Sequence, residues 1–337
     1  METNNRISFF EFIPISVFGA VMGLCALSFA WKLAAHLWGV PAIIGQVTGI
    51  MAILLFLILS VVFLVKLKKF PSVLHNEFSH PISVSFFGTV IIALLLITGI
   101  LLPVLPLTAE VIWTVAAAGM FIFAWFVLRK WLDHQQEPES AIPAWIIPVV
   151  GTLDVPIVGS NFHTQWAHEV CLAFFGIGCV FAIILLTIIF SRLLFQGPLP
   201  DAVQPTLLIL TGPCALAFTG YERLTGQIDM LSVIVFYFNL FLLLLLASKV
   251  LHLPKICPFY VSWWSVSFPL SAVTIATLHY AEHQPDIIHQ AISGLLLLFT
   301  SLVILFLLSQ SIYRIWNGTF TSAAAQPSQP KKDLALS

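Results

Sequence analysis

The sequence predicts an all-α integral membrane protein of ten transmembrane helices, read as five helical hairpins. Three observations predict it. Of its 337 residues, 59% are hydrophobic and only 9% charged, with a mean hydropathy of +1.02, whereas a soluble domain carries about a quarter charged residues. Apolar stretches of roughly 18 to 25 residues, each able to cross a ~30 Å hydrocarbon core as a helix, recur almost to the C-terminus. Basic residues collect in alternate connections, as they do where Lys and Arg beside the bilayer stay on the cytoplasmic side.

Helices are expected at 13–35, 42–67, 81–103, 108–132, 142–160, 166–195, 205–224, 229–250, 261–283 and 285–314. Breaks between them carry turn residues or charges: Gly39 to Pro41, Phe70 to Pro81, Pro103 to Pro106, His134 to Ser140, Gly197 to Pro205 and Leu251 to Pro258. Only Arg6 precedes the first apolar run. Because further spans follow it, that run reads as a retained helix rather than a cleaved signal peptide. With the N-terminus inside, 12 of the 14 basic residues fall on the cytoplasmic side. They are Arg6, Lys66, Lys68, Lys69, Arg129, Lys130, then Arg192, Lys249, Lys255, Arg314, Lys331 and Lys332; Lys32 and Arg223 are the exceptions. The expected organisation is a short cytoplasmic N-terminus (1–12), a membrane domain (13–314) and a polar, flexible cytoplasmic tail (315–337), in an inner or plasma membrane.

A net charge of −1 offers no basic surface for nucleic acid. The five cysteines (Cys25, Cys171, Cys179, Cys214 and Cys257) lack CxxC spacing and read as small apolar-environment residues. There is no P-loop, G-x-S-x-G, HExxH or paired intramembrane carboxylate, so no enzyme activity, cofactor or metal is expected. The expected partners are lipid, copies of the chain and whatever crosses it.

An internal asymmetry carries the functional reading. The odd helices open on a polar residue or Pro and have Gly or Pro inside, as in IPISVFGAVMG (13–23), HPISVSFFG (80–88), IPAWIIPVVG (142–151), QPTLLILTGP (204–213) and WWSVSFP (263–269). The even helices are smooth runs of Leu, Ile, Val and Phe, such as MAILLFLILSVVFLV (51–65) and LLLLFTSLVILFLL (295–308). Proline frees a carbonyl inside a membrane helix, and freed backbone groups persist only where protein or water satisfies them. Five irregular helices gathered inside five plain ones enclose a narrow path. The competing reading is that Pro and Gly serve helix packing alone.

The run WWSVSFPLSAVTIAT (263–277), with HPISVSFFG, the hairpin alternation and the ten-helix length, resembles the tellurite-resistance and dicarboxylate transporter family, with its TehA-like and plant slow-anion-channel members. The resemblance covers about residues 10–318. It implies a quasi-fivefold arrangement of hairpins, odd helices around a central pore, and homotrimeric assembly. It implies small anions such as chloride or nitrate as the permeating species, with dicarboxylate or sulfite permeation as the alternative. It also implies that Phe268, just before Pro269, plugs the pore, where a bulky apolar ring blocks ions by dewetting. Ordinary helix packing is the other reading of that ring.

The wall of this pore is expected at Ser16, Gly19, Gly23, Ser83, Phe87 and Pro148, and further along at Gly151, Gly212, Pro213, Phe268, Pro269 and Ser271. Apart from Asp154, the middle thirds of the odd helices carry no acid, and no Lys or Arg is buried there, a pattern that disfavours a cation path and suits weak anion binding. Asp154 is read as an outer-mouth residue if its helix ends at Pro156, or as a proton-coupling site if it does not. His279 and His283, one turn apart around Glu282, are read as interfacial residues able to confer pH sensitivity, since two imidazoles alone do not make a metal site. His163, His168 and Glu169 form a similar cluster. A non-transporting structural or sensory membrane protein is the remaining reading.

Overall fold

The computed structural model describes residues 11–250, 252 and 257–320. The expectations for residues 1–10 and 321–337, and the cytoplasmic placement of Arg6, Lys255, Lys331 and Lys332, lie outside the described residues. Within them every regular element is helical. Among the described residues, nine helices are long and apolar enough to cross a membrane: Ile15–Trp38, Ile43–Lys69, Ser83–Leu101, Pro106–Asp133, Gln165–Phe195, Asp201–Thr225, Met230–Val250, Val261–His283 and Ile287–Trp316. The fifth expected helix is a shorter apolar segment, Pro143–Gly159. Counting it in place, the segments are numbered first to tenth in chain order. The protein is a multi-pass membrane protein.

The even-numbered segments are uninterrupted α-helices of 21 to 31 residues. At 1.5 Å per residue, each is long enough to cross the hydrocarbon. Their sequences are Leu-, Ile- and Phe-rich all round, and 17–39% of the residues in their most apolar stretches are buried. The rest, including Leu54, Ile58, Val61, Phe121, Ile183 and Leu244, face outward and match lipid.

Odd-numbered segments are built differently. Each opens with a 3₁₀ stretch that turns into α-helix at a defined point. Ile15–Phe18 gives way to Gly19, Ser83–Phe87 to Gly88, Asp201–Thr211 to Gly212 and Val261–Val266 to Ser267. The fifth segment makes the change twice, through Pro143–Trp145, Ile146–Val150, Gly151–Leu153 and Asp154–Gly159. Pro143, Pro148 and Pro156 each lack the N–H that a continuous ladder needs, which explains why this segment never settles into one helix. Hydroxyls reinforce the tighter i→i−3 geometry. Thr89 donates to the Phe86 carbonyl (2.6 Å), Thr152 to Val149 (2.7 Å), Thr211 to Leu208 (2.8 Å) and Ser267 to Trp264 (2.7 Å). These hydroxyls are turned into their own backbone, where they satisfy carbonyls.

Packing joins the odd segments to one another. The first lies against the third, the third against the fifth, the fifth against the seventh, the seventh against the ninth, and the ninth against the first. Each even segment packs on the odd segment before it. In the first, third, seventh and ninth segments, 61–83% of the residues in the most apolar stretch are buried. Gly23 shows how closely the first and ninth approach: a Cβ there would collide with the Ser267 Oγ.

Residues 70–81, expected as a plain break, contain a further helix, Pro71–Ser79, with Pro71 in its first turn where no N–H partner is needed. It anchors the start of the first segment. Glu77 accepts the Ile15 N–H (2.7 Å) and pairs with Lys66 at 2.9 Å, while the buried Lys66 ammonium also donates to the Ile13 carbonyl (2.8 Å). At its C-terminal end, His80 Nδ1 accepts from the Ile82 and Ser83 N–H groups, capping the third segment.

Candidate permeation pathway

Two cavities lie inside the ring of odd segments. The larger has about 620 Å³ of space unfilled by protein atoms, the open solvent at its edge included, and is lined by all five of them. The first contributes Ser16, Gly19 and Met22; the third Phe86, Thr89 and Ile92; the fifth Ile146, Ile147, Val150, Gly151 and Asp154. Ile209, Gly212, Pro213 and Leu216 come from the seventh, and Ser262, Trp264, Ser265, Phe268 and Pro269 from the ninth. The smaller cavity, about 300 Å³, continues one to two turns further along the same faces, at Ala26, Phe29, Leu96, Ile157, Thr219, Ala272 and Ile275. Phe268 and Leu216 line both. The two side chains therefore stand between the cavities, and the Phe268 ring is itself almost fully buried.

Of the residues expected at the wall, Ser16, Gly19, Gly151, Gly212, Pro213, Phe268 and Pro269 line the larger cavity. Five others do not line either cavity. Gly23 is spent on the contact with Ser267. Ser83 lies beside His80. Phe87 packs edge-on against Phe78 of the short helix, ring centroids 4.9 Å apart. Pro148 and Ser271 are buried among packed helices.

The missed lining residues of the first and ninth segments mostly share one signal. Positions 16, 19, 22, 26 and 29 of the first segment, and 262, 265, 268, 272 and 275 of the ninth, follow the three-and-four spacing of a single helical face. Extending that spacing from Phe268 finds Ser262, Ser265, Ala272 and Ile275, and from Ser16 and Gly19 it finds Met22, Ala26 and Phe29; Trp264 lies off it.

Asp154 is displaced from the outer-mouth reading. Its residue exposure is 0%, it lines the larger cavity, and neither carboxylate oxygen has a hydrogen-bond partner. Helical structure resumes after the 3₁₀ turn Gly151–Leu153 and runs through Pro156 to Gly159, so the segment does not end where an outer mouth required. Every other residue lining the two cavities is apolar or a neutral hydroxyl.

His279 and His283 lie away from both cavities, at the C-terminal end of the ninth segment. The His279 ring faces Glu222 of the seventh segment at 3.7 Å and Glu282 at 4.0 Å, whereas His283 is exposed. Among the described residues no group of three metal-ligating side chains forms. His163, His168 and Glu169 are exposed around the start of the sixth segment.

Comparison with known proteins places the chain among membrane anion-channel relatives. The chain is 24% identical to the S-type anion channel SLAH2 of Arabidopsis thaliana, over 80% of this chain and 53% of that protein. It is 24% identical to S-type anion channel SLAH3 of the same plant, over 89% of this chain and 48% of the other. The chain thus spans about half the length of these plant relatives. The tellurite resistance protein TehA homolog of Haemophilus influenzae is 25% identical over 91% of this chain and 92% of its own length. Residues 13–312 match the family model described as voltage-dependent anion channel, and the chain belongs to that family.

Proposed function

We propose that the chain is an anion channel of an inner or plasma membrane, passing small anions such as chloride or nitrate through the ring of odd-numbered segments, with Phe268 as its gate. The observation that carries this reading is the position of Phe268 between two cavities on one line of helix faces. An aromatic ring closing a narrow apolar path prevents a continuous column of water, and an ion does not cross without one. Each protomer has ten spans, counting the broken fifth segment, in a quasi-fivefold arrangement with its termini in the cytoplasm. The protomers form a trimer, so that each has its own pathway.

Support for anions over cations comes from the lining. Among the described residues the lining holds one carboxyl and no ring of acids, and Gly19, Gly151 and Gly212 are part of its wall. The names of the plant relatives, S-type anion channels, point the same way.

The test is macroscopic current from purified protein in planar bilayers under a chloride gradient. Phe268→Ala is expected to raise anion current by about tenfold or more, the effect of lowering a barrier by about 1.4 kcal/mol; Phe268→Leu raises it less. Normally folded Phe268→Ala with unchanged current makes the ring packing only. Electroneutral, proton-driven uptake in place of current makes the protein a coupled permease of dicarboxylate, sulfite or another oxyanion.

A further inference from the structure

Asp154 is chemically unlike everything else along the pathway. It is fully buried, it lines the cavity on the N-terminal side of Phe268, and both carboxylate oxygens lack a protein partner. A buried carboxylate without hydrogen bonds or a counter-charge is costly, and packing usually removes it unless the group has a use. Its partner has to come from the cavity itself.

Among the described residues, no other titratable side chain lines either cavity. The segments packed against Asp154 are the third, fourth, sixth and seventh. The third carries no ionisable residue. Charged groups on the others sit towards the helix ends: Glu110, Arg129, Lys130 and Asp133 on the fourth, His168, Glu169 and Arg192 on the sixth, Asp201, Glu222 and Arg223 on the seventh. The remaining titratable groups there are the thiols of Cys171, Cys179 and Cys214 and the Tyr221 phenol, none of which lines a cavity.

We propose that Asp154 is the protonation site of the anion pathway: as a neutral carboxyl it donates a hydrogen bond to an anion in the cavity, and as a carboxylate it excludes anions. The neutral form adds a donor to a lining whose Thr89, Ser262 and Ser265 hydroxyls are spent on backbone carbonyls, and the ionised form places a like charge in a narrow, low-dielectric space. Flux therefore falls as pH rises, and it depends on pH itself rather than on a pH gradient. The inference rests on the anion-channel reading and deepens it.

The experiment compares Phe268→Ala with Phe268→Ala/Asp154→Asn in planar bilayers under a chloride gradient, with the same pH on both sides, from pH about 5 to about 9. With Asp154 present, anion current is expected to fall with rising pH, approaching about tenfold per pH unit once the carboxyl is mostly ionised. The reversal potential moves away from the anion limit over the same range. In the double variant, current and reversal potential stay at their low-pH values, and Asp154→Glu in the same Phe268→Ala background restores the pH dependence. Matching pH profiles in the two variants overturn the inference while leaving the channel reading intact. So does loss of current in a double variant that unfolds at the same temperature as Phe268→Ala, because the carboxyl is then structural. Absence of current from Phe268→Ala at every pH overturns the channel reading, and this inference with it.

Discussion

The odd and even segments come from one chain in one membrane, yet they solve different problems. Even segments meet lipid, which asks only for length and apolar surface, and unbroken α-helices of Leu, Ile and Phe meet that demand with every backbone bond inside the helix. Odd segments are covered by protein on most sides, so their backbones tolerate 3₁₀ turns and prolines that lipid would punish. The 3₁₀ stretches bring Gly19, Gly151 and Gly212 to the cavity wall without bulk. Regularity is thus placed where the solvent is lipid, and irregularity where neighbours or a cavity can satisfy it.

That contrast breaks most visibly at the ion pairs. Lys66 and Glu77 form a buried pair, with side chains 2% and 14% exposed, that ties the start of the first, irregular segment to the end of the second. Arg129 and Asp133, on the periphery of the fourth, are 64% and 55% exposed. Glu77→Ala leaves a buried ammonium uncompensated and orphans the Ile15 N–H, for an expected loss of about 3 kcal/mol or more. Asp133→Ala is expected to cost less than about 1 kcal/mol. Thermal unfolding in detergent reads both, and equal losses would show that the entry to the first segment is not held by this pair.

Glycines sharpen the same comparison at a smaller scale. Gly23→Ala drives a Cβ into the Ser267 Oγ, whereas at Gly176, on the sixth segment, an added Cβ meets nothing within 4 Å. The first is expected to cost about 1–3 kcal/mol through overpacking, and the second to be neutral or to stabilise by up to about 1 kcal/mol through helix propensity. A similar unfolding temperature for the two variants would mean that the first and ninth segments can move apart cheaply, which a fixed pathway does not allow.

The sequence exposes this division unevenly. Hydropathy marks the peripheral helices clearly because lipid contact is a property of whole stretches; Gln165–Phe195 begins within a residue of its expected start. Pro and Gly mark the odd helices as irregular. They do not reveal that the irregularity is a 3₁₀-to-α change, because that depends on tertiary cover rather than on local propensity. Hence Asp201–Thr225 starts four residues before the expected 205, and 143–159 is four short pieces. Helical phase is the limiting quantity at the pathway. Ser16, Gly19 and Phe268 fall on the cavity face, but Gly23 and Ser271, of the same residue types, are turned into helix contacts. Sequence alone leaves Asp154 between two readings because Pro156 can be taken as a helix end, whereas the short Asp154–Gly159 helix carries Pro156 within its first turn, where no N–H bond is required.

The smallest expected effect lies where an irregular segment begins. His80 Nδ1 caps the Ile82 and Ser83 N–H groups at the entrance to the third segment, and partial burial, reinforced by the nearby Lys130 ammonium, lowers its pKa from the ordinary 6.5. Protonation removes the acceptor lone pair that makes the cap, so geometry and electrostatics act in the same direction. Because the folded-state pKa is depressed, the unfolded chain binds the proton more readily. The stabilisation is then complete above the unfolded value of 6.5 and is lost as pH falls through 6.5 towards the folded value. The unfolding temperature should decline on acidification through that window. His80→Asn, whose side-chain carbonyl can accept the same N–H groups without titrating, should flatten that decline while leaving stability near pH 8 within about 1 kcal/mol of wild type. The matching control is His283→Asn, since His283 is exposed and caps nothing among the described residues; an equal flattening there would assign the acid sensitivity to surface charge instead of to the cap.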